Sequence, residues 1–178
     1  MVNKSNNIIY SKNFSLTTAR FGVNKSAPGD AFSDMFITGN QRRRQGNMEA
    51  IWVVEQEYNI SGGGVVQFPG QNTTPSDQHR RVWVPRYIDV AGMTACDSLG
   101  GRGIGRMRLS TWVCYKLYGS GDMRNSKFNI KRNFYYNTGA NIGKLIVPNP
   151  SDTVYRICPY TTKWNNIVAS DAFGYADY

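Results

Sequence analysis

Histidine is almost absent from this sequence and cysteine is scarce. Among 178 residues there is one histidine, His79, and three cysteines, Cys96, Cys114 and Cys158. The cysteines are odd in number, widely spaced and form no CxxC pair, so neither a disulfide framework nor a zinc site is indicated, and no metal or cofactor is expected. Long apolar runs are missing too: no stretch approaches the roughly 18 residues of a membrane-spanning helix. The opening MVNKSNNIIYSKNF is polar and lacks the apolar segment of a signal peptide. The expectation is therefore no signal-peptide secretion, no membrane partner and a reducing, intracellular setting, with the sequons at Asn3, Asn13, Asn24, Asn59 and Asn72 an accident of Asn, Ser and Thr richness.

Acidic residues are also few. Twelve Asp and Glu face 21 Lys and Arg, giving a net charge of +9 and a pI near 9.6. That balance points to a polyanionic partner, nucleic acid, an anionic surface or an acidic glycan, or else to a merely soluble basic protein. Catalytic constellations are thin. His79 lies among arginines in DQHRR and reads as a surface loop residue. Glu55 and Glu57 share a face of an extended run and have the types of a glycosidase pair, but such neighbours also make a solvated strand face. GGRGIG (100–105) lacks the Lys-Ser/Thr of a phosphate-binding loop and leads into an expected strand. No enzyme is expected.

Aromatics and glycine are abundant. Aromatics reach 13%, with 11 Tyr and 4 Trp, beside 18 Gly and only 19% charged residues. This suits an all-β domain with loops. Alternation, the mark of a half-buried strand, runs through 48–60, 79–90, 106–118 and 127–137. In 106–118, Met107, Leu109, Thr111, Val113, Tyr115 and Leu117 fall on one side; Arg106, Arg108, Ser110, Trp112, Cys114, Lys116 and Tyr118 fall on the other. That run is expected to form a long-looped hairpin with 127–137, whose Phe128, Ile130, Phe134 and Tyr136 share a face. Shorter candidates are 144–148, 153–160 and 163–169, with 13–21 and 31–38 weaker.

The expected fold is a single-domain antiparallel β-sandwich over 1–178, jelly-roll-like, with about eight strands. Residues 1–47 form an extended or weakly structured N-terminal segment with a basic run, and 170–178 an aromatic tail. Two long Gly/Pro loops, 61–78 and 91–105, are candidates for contacts with another chain.

The cations fall into clusters: Arg42, Arg43 and Arg44; Arg80, Arg81 and Arg86; Arg102, Arg106 and Arg108; Lys127, Lys131 and Arg132. Like charges on neighbouring strands repel unless an anion lies between them, as a phosphate backbone would. Arg42–Arg44, Arg102, Arg106, Arg108, Lys127, Lys131 and Arg132 are thus candidate nucleic-acid contacts; pairing with carboxylates across the fold is the competing explanation. Phe173, Tyr175 and Tyr178 of the tail are candidate interface residues.

In size, expected β-richness and basic charge the chain resembles the single jelly-roll coat proteins of small icosahedral viruses. The resemblance implies a self-assembling structural protein that packages nucleic acid in a virion, with itself and nucleic acid as partners. The sequence departs from that pattern in its N-terminal arm, where the first forty residues hold only Lys4, Lys12, Arg20 and Lys25 as cations. The alternatives are a lectin-like or nucleic-acid-binding module, with Trp52, Trp83, Trp112 or Trp164 as a stacking platform, and a basic hydrolase.

Overall fold

The computed structural model describes residues 13–37, 39–53, 65–66, 74–75 and 82–164. They belong to two units, Met1–Val54 and Glu55–Tyr178.

The first unit is organised by buried polar side chains around a short helix. Helix α1, Ala31–Asp34, begins with a reciprocal cap: the Asp30 carboxylate accepts the Ser33 amide at 2.7 Å and the Ser33 hydroxyl accepts the Asp30 amide at 2.9 Å. Asp34, fully buried, accepts Arg20 Nε at 2.6 Å and the Phe21 amide at 3.1 Å. The same guanidinium donates to the carbonyls of Ala27 at 2.8 Å and Asn24 at 3.1 Å, tying a turn to the helix. Buried Asn40 accepts the Val23 amide at 2.8 Å and donates to the Asp34 carbonyl at 3.0 Å. Gly22, at φ +68°, passes so close to that amide that a Cβ would overlap it.

The second unit packs a core of Val84, Tyr87, Met93, Leu99, Phe134, Ile146, Ile157 and Tyr160. Regular structure around it is sparse. Strands β1 (Val65–Val66) and β2 (Thr74–Pro75) pair antiparallel, as do β3 (Ile130–Lys131) and β4 (Tyr160–Thr161). A lone bridge joins Tyr135 to Leu145, flanked by the Ile146 amide on the Phe134 carbonyl at 2.9 Å. Helix α2, Thr111–Tyr115, is capped by the Ser110 hydroxyl, which accepts the Val113 amide at 3.3 Å. Single 3-10 turns at Tyr87–Asp89, Asp97–Leu99, Met123–Asn125, Gly139–Asn141, Asp152–Val154 and Thr162–Trp164 connect the rest.

The eight-stranded β-sandwich is therefore not formed: among the described residues there are two separate two-stranded pairs, with two short helices and 3-10 turns. The expected strand 106–118 turns into α2 after Ser110, and its alternation does not sort inside from outside. Met107 is 49% exposed and Trp112 57%, though the alternation puts them on opposite faces, and Cys114 is buried. Its expected partner, 127–137, contributes one strand, Ile130–Lys131, which pairs with Tyr160–Thr161 instead, and the bridge from Tyr135 to Leu145. In 48–53 the adjacent Ile51 and Trp52 are both exposed, at 71% and 87%; 54–60 lies outside the described residues. In 79–90, Val84 and Tyr87 are both buried and a 3-10 turn covers Tyr87–Asp89. Segment 31–38 holds α1, and 13–21 holds no strand.

The physical reason lies in where backbone groups find partners. A sheet satisfies them with neighbouring strands; here side chains do much of that work. Asn137 clasps Thr94, its Oδ1 accepting the amide and its Nδ2 donating to the carbonyl, each at 2.8 Å. Asn129 Nδ2 donates to the Met123 carbonyl at 2.7 Å, and the Thr162 hydroxyl donates to the Phe128 carbonyl. The 91–105 segment, expected as a contact loop, is inner wall: Met93 and Leu99 enter the core, and the Tyr87 hydroxyl donates to the Gly101 carbonyl at 2.7 Å and accepts the Cys96 amide at 3.0 Å. Gly103 lies against the Val84 carbonyl, where a Cβ would overlap the oxygen. Of 61–78, only the β1–β2 pairing is described.

Candidate functional site

An open cleft of about 760 Å³ lies beside α2 in the second unit. Arg108, Thr111, Cys114 and Tyr115 line it from the α2 side, and Arg132 and Asn133 from the segment after β3. Leu145, Val147 and Pro148 supply an apolar wall, closed by Thr153, Cys158 and Pro159.

Ser110 explains why these groups meet. By starting a helix it turns Cys114 inward while Trp112 and Tyr115 remain in solvent. Arg132 then fixes the helix end, with Nε and Nη2 donating to the Cys114 carbonyl at 3.0 and 2.5 Å and Nη1 to the Asn125 carbonyl at 3.0 Å. Its guanidinium carbon lies 5.8 Å from the centre of the Tyr115 ring. Arg108 Nη1 donates to the carbonyls of Thr153 at 3.1 Å and Val154 at 3.3 Å. The result is an exposed aromatic ring, 61% accessible, next to guanidinium, amide and hydroxyl groups over an apolar wall. Burial pushes the Cys114 and Cys158 thiols up, with Arg132 and Arg108 respectively acting against it.

Of the expected phosphate contacts, the structure brings Arg108 and Arg132 to one cleft, and both are bonded to backbone carbonyls. Arg106 is exposed nearby in sequence, Arg102 is half-buried in the 91–105 segment, and Lys131 is half-buried, with its pKa lowered by that burial. Lys127 sits 5.2 Å from the centre of the Phe128 ring. Arg42, Arg43 and Arg44 belong to the other unit. There Arg43 stacks 4.1 Å over Phe14 and donates to the Asn13 carbonyl, whereas Arg44 is exposed. The glycine segment 100–105 turns its amides inward: Gly101 donates to the Cys96 carbonyl at 2.9 Å and Gly105 to that of Val84 at 2.9 Å. His79, Glu55, Glu57, Phe173, Tyr175 and Tyr178 lie outside the described residues.

Sequence reasoning passed over Tyr115 and Asn133 as site residues. The available signal was Ser110 ahead of TWVCY, a helix cap that breaks the two-residue period. No group of three or more metal-ligating side chains occurs among the described residues, and none of their helices is long and apolar enough to cross a membrane. The chain matches no family model, no curated protein and no solved structure.

Proposed function

We propose that this is a binding protein rather than an enzyme, and that the cleft beside α2 takes a sugar chain in a lectin-like manner. The observation that carries this reading is the exposed Tyr115, its ring 5.8 Å from the Arg132 guanidinium, in a cleft that Asn133, Thr111 and an apolar wall also line. A pyranose presents an apolar face of C–H groups that stacks on an aromatic ring. Its hydroxyls both donate and accept, which matches an amide and a hydroxyl, and an acidic sugar adds charge for the guanidiniums. Calorimetric titration of the full chain with neutral and acidic oligosaccharides tests it. Binding weakened on the order of tenfold by Tyr115→Ala is expected; no sugar bound at about millimolar concentration, a range where weak binding is still measurable, overturns it.

A second proposal keeps the self-assembling, nucleic-acid-packaging role, intracellular or in a virion, without the sandwich fold. The net charge of +9 and the exposed apolar side chains of Ile142, Leu145 and Val147 favour it, since contact between copies would cover them. Light scattering and negative-stain microscopy separate the two: large particles containing nucleic acid support assembly, and a sugar-binding monomer removes it.

A further inference from the structure

Two arginines line the cleft, Arg108 and Arg132, and among the described residues that line it there is no Asp or Glu. Two cations in a concave site with no carboxylate beside them favour an anionic ligand. The two guanidiniums are not equally placed to meet one. Arg132 uses its Nε–Nη2 edge on the Cys114 carbonyl, at 3.0 and 2.5 Å, and Nη1 on the Asn125 carbonyl at 3.0 Å. Arg108 is held by Nη1 alone, which donates to the Thr153 and Val154 carbonyls at 3.1 and 3.3 Å. Its Nε and Nη2 have no hydrogen-bond partner among the described residues, and the residue is exposed. Nε and Nη2 carry parallel N–H groups, the edge of a guanidinium that donates to both oxygens of a carboxylate at once. Anchoring at Nη1 orients that edge before a ligand arrives, which lowers the ordering cost of binding.

We infer that the sugar taken by the cleft carries a carboxylate, as a uronic acid does, and that Arg108 selects it. The inference rests on the sugar-binding reading above and adds a chemical class to it. The uronate ring stacks on Tyr115. Arg108 donates Nε–H and Nη2–H to the two carboxylate oxygens, and Thr111 and Asn133 serve the ring hydroxyls. Arg132 contributes charge but not its paired edge, which already holds the end of α2. A neutral sugar leaves the Arg108 edge to water. An ammonium at the same position would keep the charge and lose the paired geometry.

The test is calorimetric titration of the full chain with oligogalacturonate and oligoglucuronate, each beside its methyl ester. Esterification keeps the sugar skeleton and removes the charge. Wild type should bind the free acids about tenfold more tightly than the esters, as one charge-assisted pair allows. Arg108→Gln and Arg108→Lys should both reduce that preference to about threefold or less, because neither presents the paired edge. Lys25→Gln removes one exposed positive charge from the other unit and should leave the preference unchanged. Equal binding of acid and ester by wild type overturns the inference and leaves the sugar reading standing. A preference that Arg108→Lys keeps in full, or that Lys25→Gln loses equally, also overturns it, since charge alone then suffices. If no acid, ester or neutral oligosaccharide binds at about millimolar concentration, the inference and the sugar reading fall together. The wild-type comparison of acid with ester decides the matter even if the Arg108 variants fail to fold.

Discussion

Arg132 and Cys114 are joined twice, with Nε and Nη2 of the guanidinium both donating to the Cys114 carbonyl, at 3.0 and 2.5 Å. That carbonyl lies in the last turn of α2, where no further helix supplies an amide, so a cation there satisfies an acceptor and meets the negative end of the helix. Nη2 also donates to Asn125 Oδ1 at 2.5 Å, which ties the 123–125 turn to the same point. Arg132→Ala should destabilise the protein by about 2–3 kcal/mol, and Arg132→Lys by at least half as much, because an ammonium cannot reach these acceptors in one plane. Urea unfolding of the full chain measures both; a loss below about 0.5 kcal/mol in the alanine variant would be that of an ordinary surface substitution.

A glycine pair gives a sharper steric test. Gly103→Ala places a methyl group against the Val84 carbonyl oxygen, whereas Gly121→Ala meets nothing within 4 Å. The first should cost at least about 2 kcal/mol, as overpacking against backbone does. The second should be neutral or slightly stabilising, because alanine restricts the unfolded chain. Thermal melts of the two variants side by side check the contrast; equal midpoints reject the close approach at Gly103.

Alkaline pH should unfold the protein through Tyr87. Burial, the largest influence, raises this phenol well above its usual range. The folded state therefore keeps a proton that the unfolded state gives up near pH 10. Tyr87 contributes its full stabilisation below that pH and loses it progressively as pH rises beyond it. Lys131 acts in the opposite sense, since burial lowers its pKa and folding then favours the neutral amine as pH climbs. Comparing wild type with Tyr87→Phe cancels the Lys131 contribution. The urea midpoint of wild type should fall more steeply than that of Tyr87→Phe between about pH 9.5 and 11, and parallel curves would remove Tyr87 from the effect.

If nucleic acid binds, the exposed Arg44 of the basic run should carry the salt dependence. Arg44→Ala should flatten the plot of log affinity against log salt by about 0.7 to 0.9 unit. Arg43→Ala should leave the slope nearly unchanged, because its guanidinium is held by Phe14 and the Asn13 carbonyl. Filter binding of a random oligonucleotide at several salt concentrations measures both slopes; equal flattening by the two variants would show that Arg43 leaves its intramolecular partners to reach phosphate.

The inward residues were more legible than the elements that carry them. Val84, Ile130 and Phe134, assigned to apolar faces of expected strands, are all buried. Hydrophobicity reports which side chains leave water, and that is the same whether a strand or a loop delivers them. What delivers them is not legible, because alternation marks an extended run without supplying the partner strand that a sheet needs. Ser110 illustrates the difficulty: in an alternating run it occupies an outward position, and only its bond to the Val113 amide reveals a helix start. The cleft was legible in part. Arg108 and Arg132 stand out in the sequence as cations, but a sequence shows a charge without showing the carbonyls it also meets.

The guanidiniums of Arg20, Arg43, Arg108 and Arg132 all donate to main-chain carbonyls, those met by Arg132 including one in the last turn of α2. Their chemistry thus couples the spacing of those carbonyls to the reach of one side-chain type. Inserting a residue between 125 and 130 would move the Asn125 acceptors away from Arg132. Reagents that condense with arginine, such as phenylglyoxal, should accordingly act as denaturants of this protein and not merely as agents that lower its isoelectric point. Exchanging these arginines for lysine would keep every positive charge and still loosen the loops. Part of the basic character that marks the chain as a polyanion partner, four of its 21 cations, also fastens an irregular backbone.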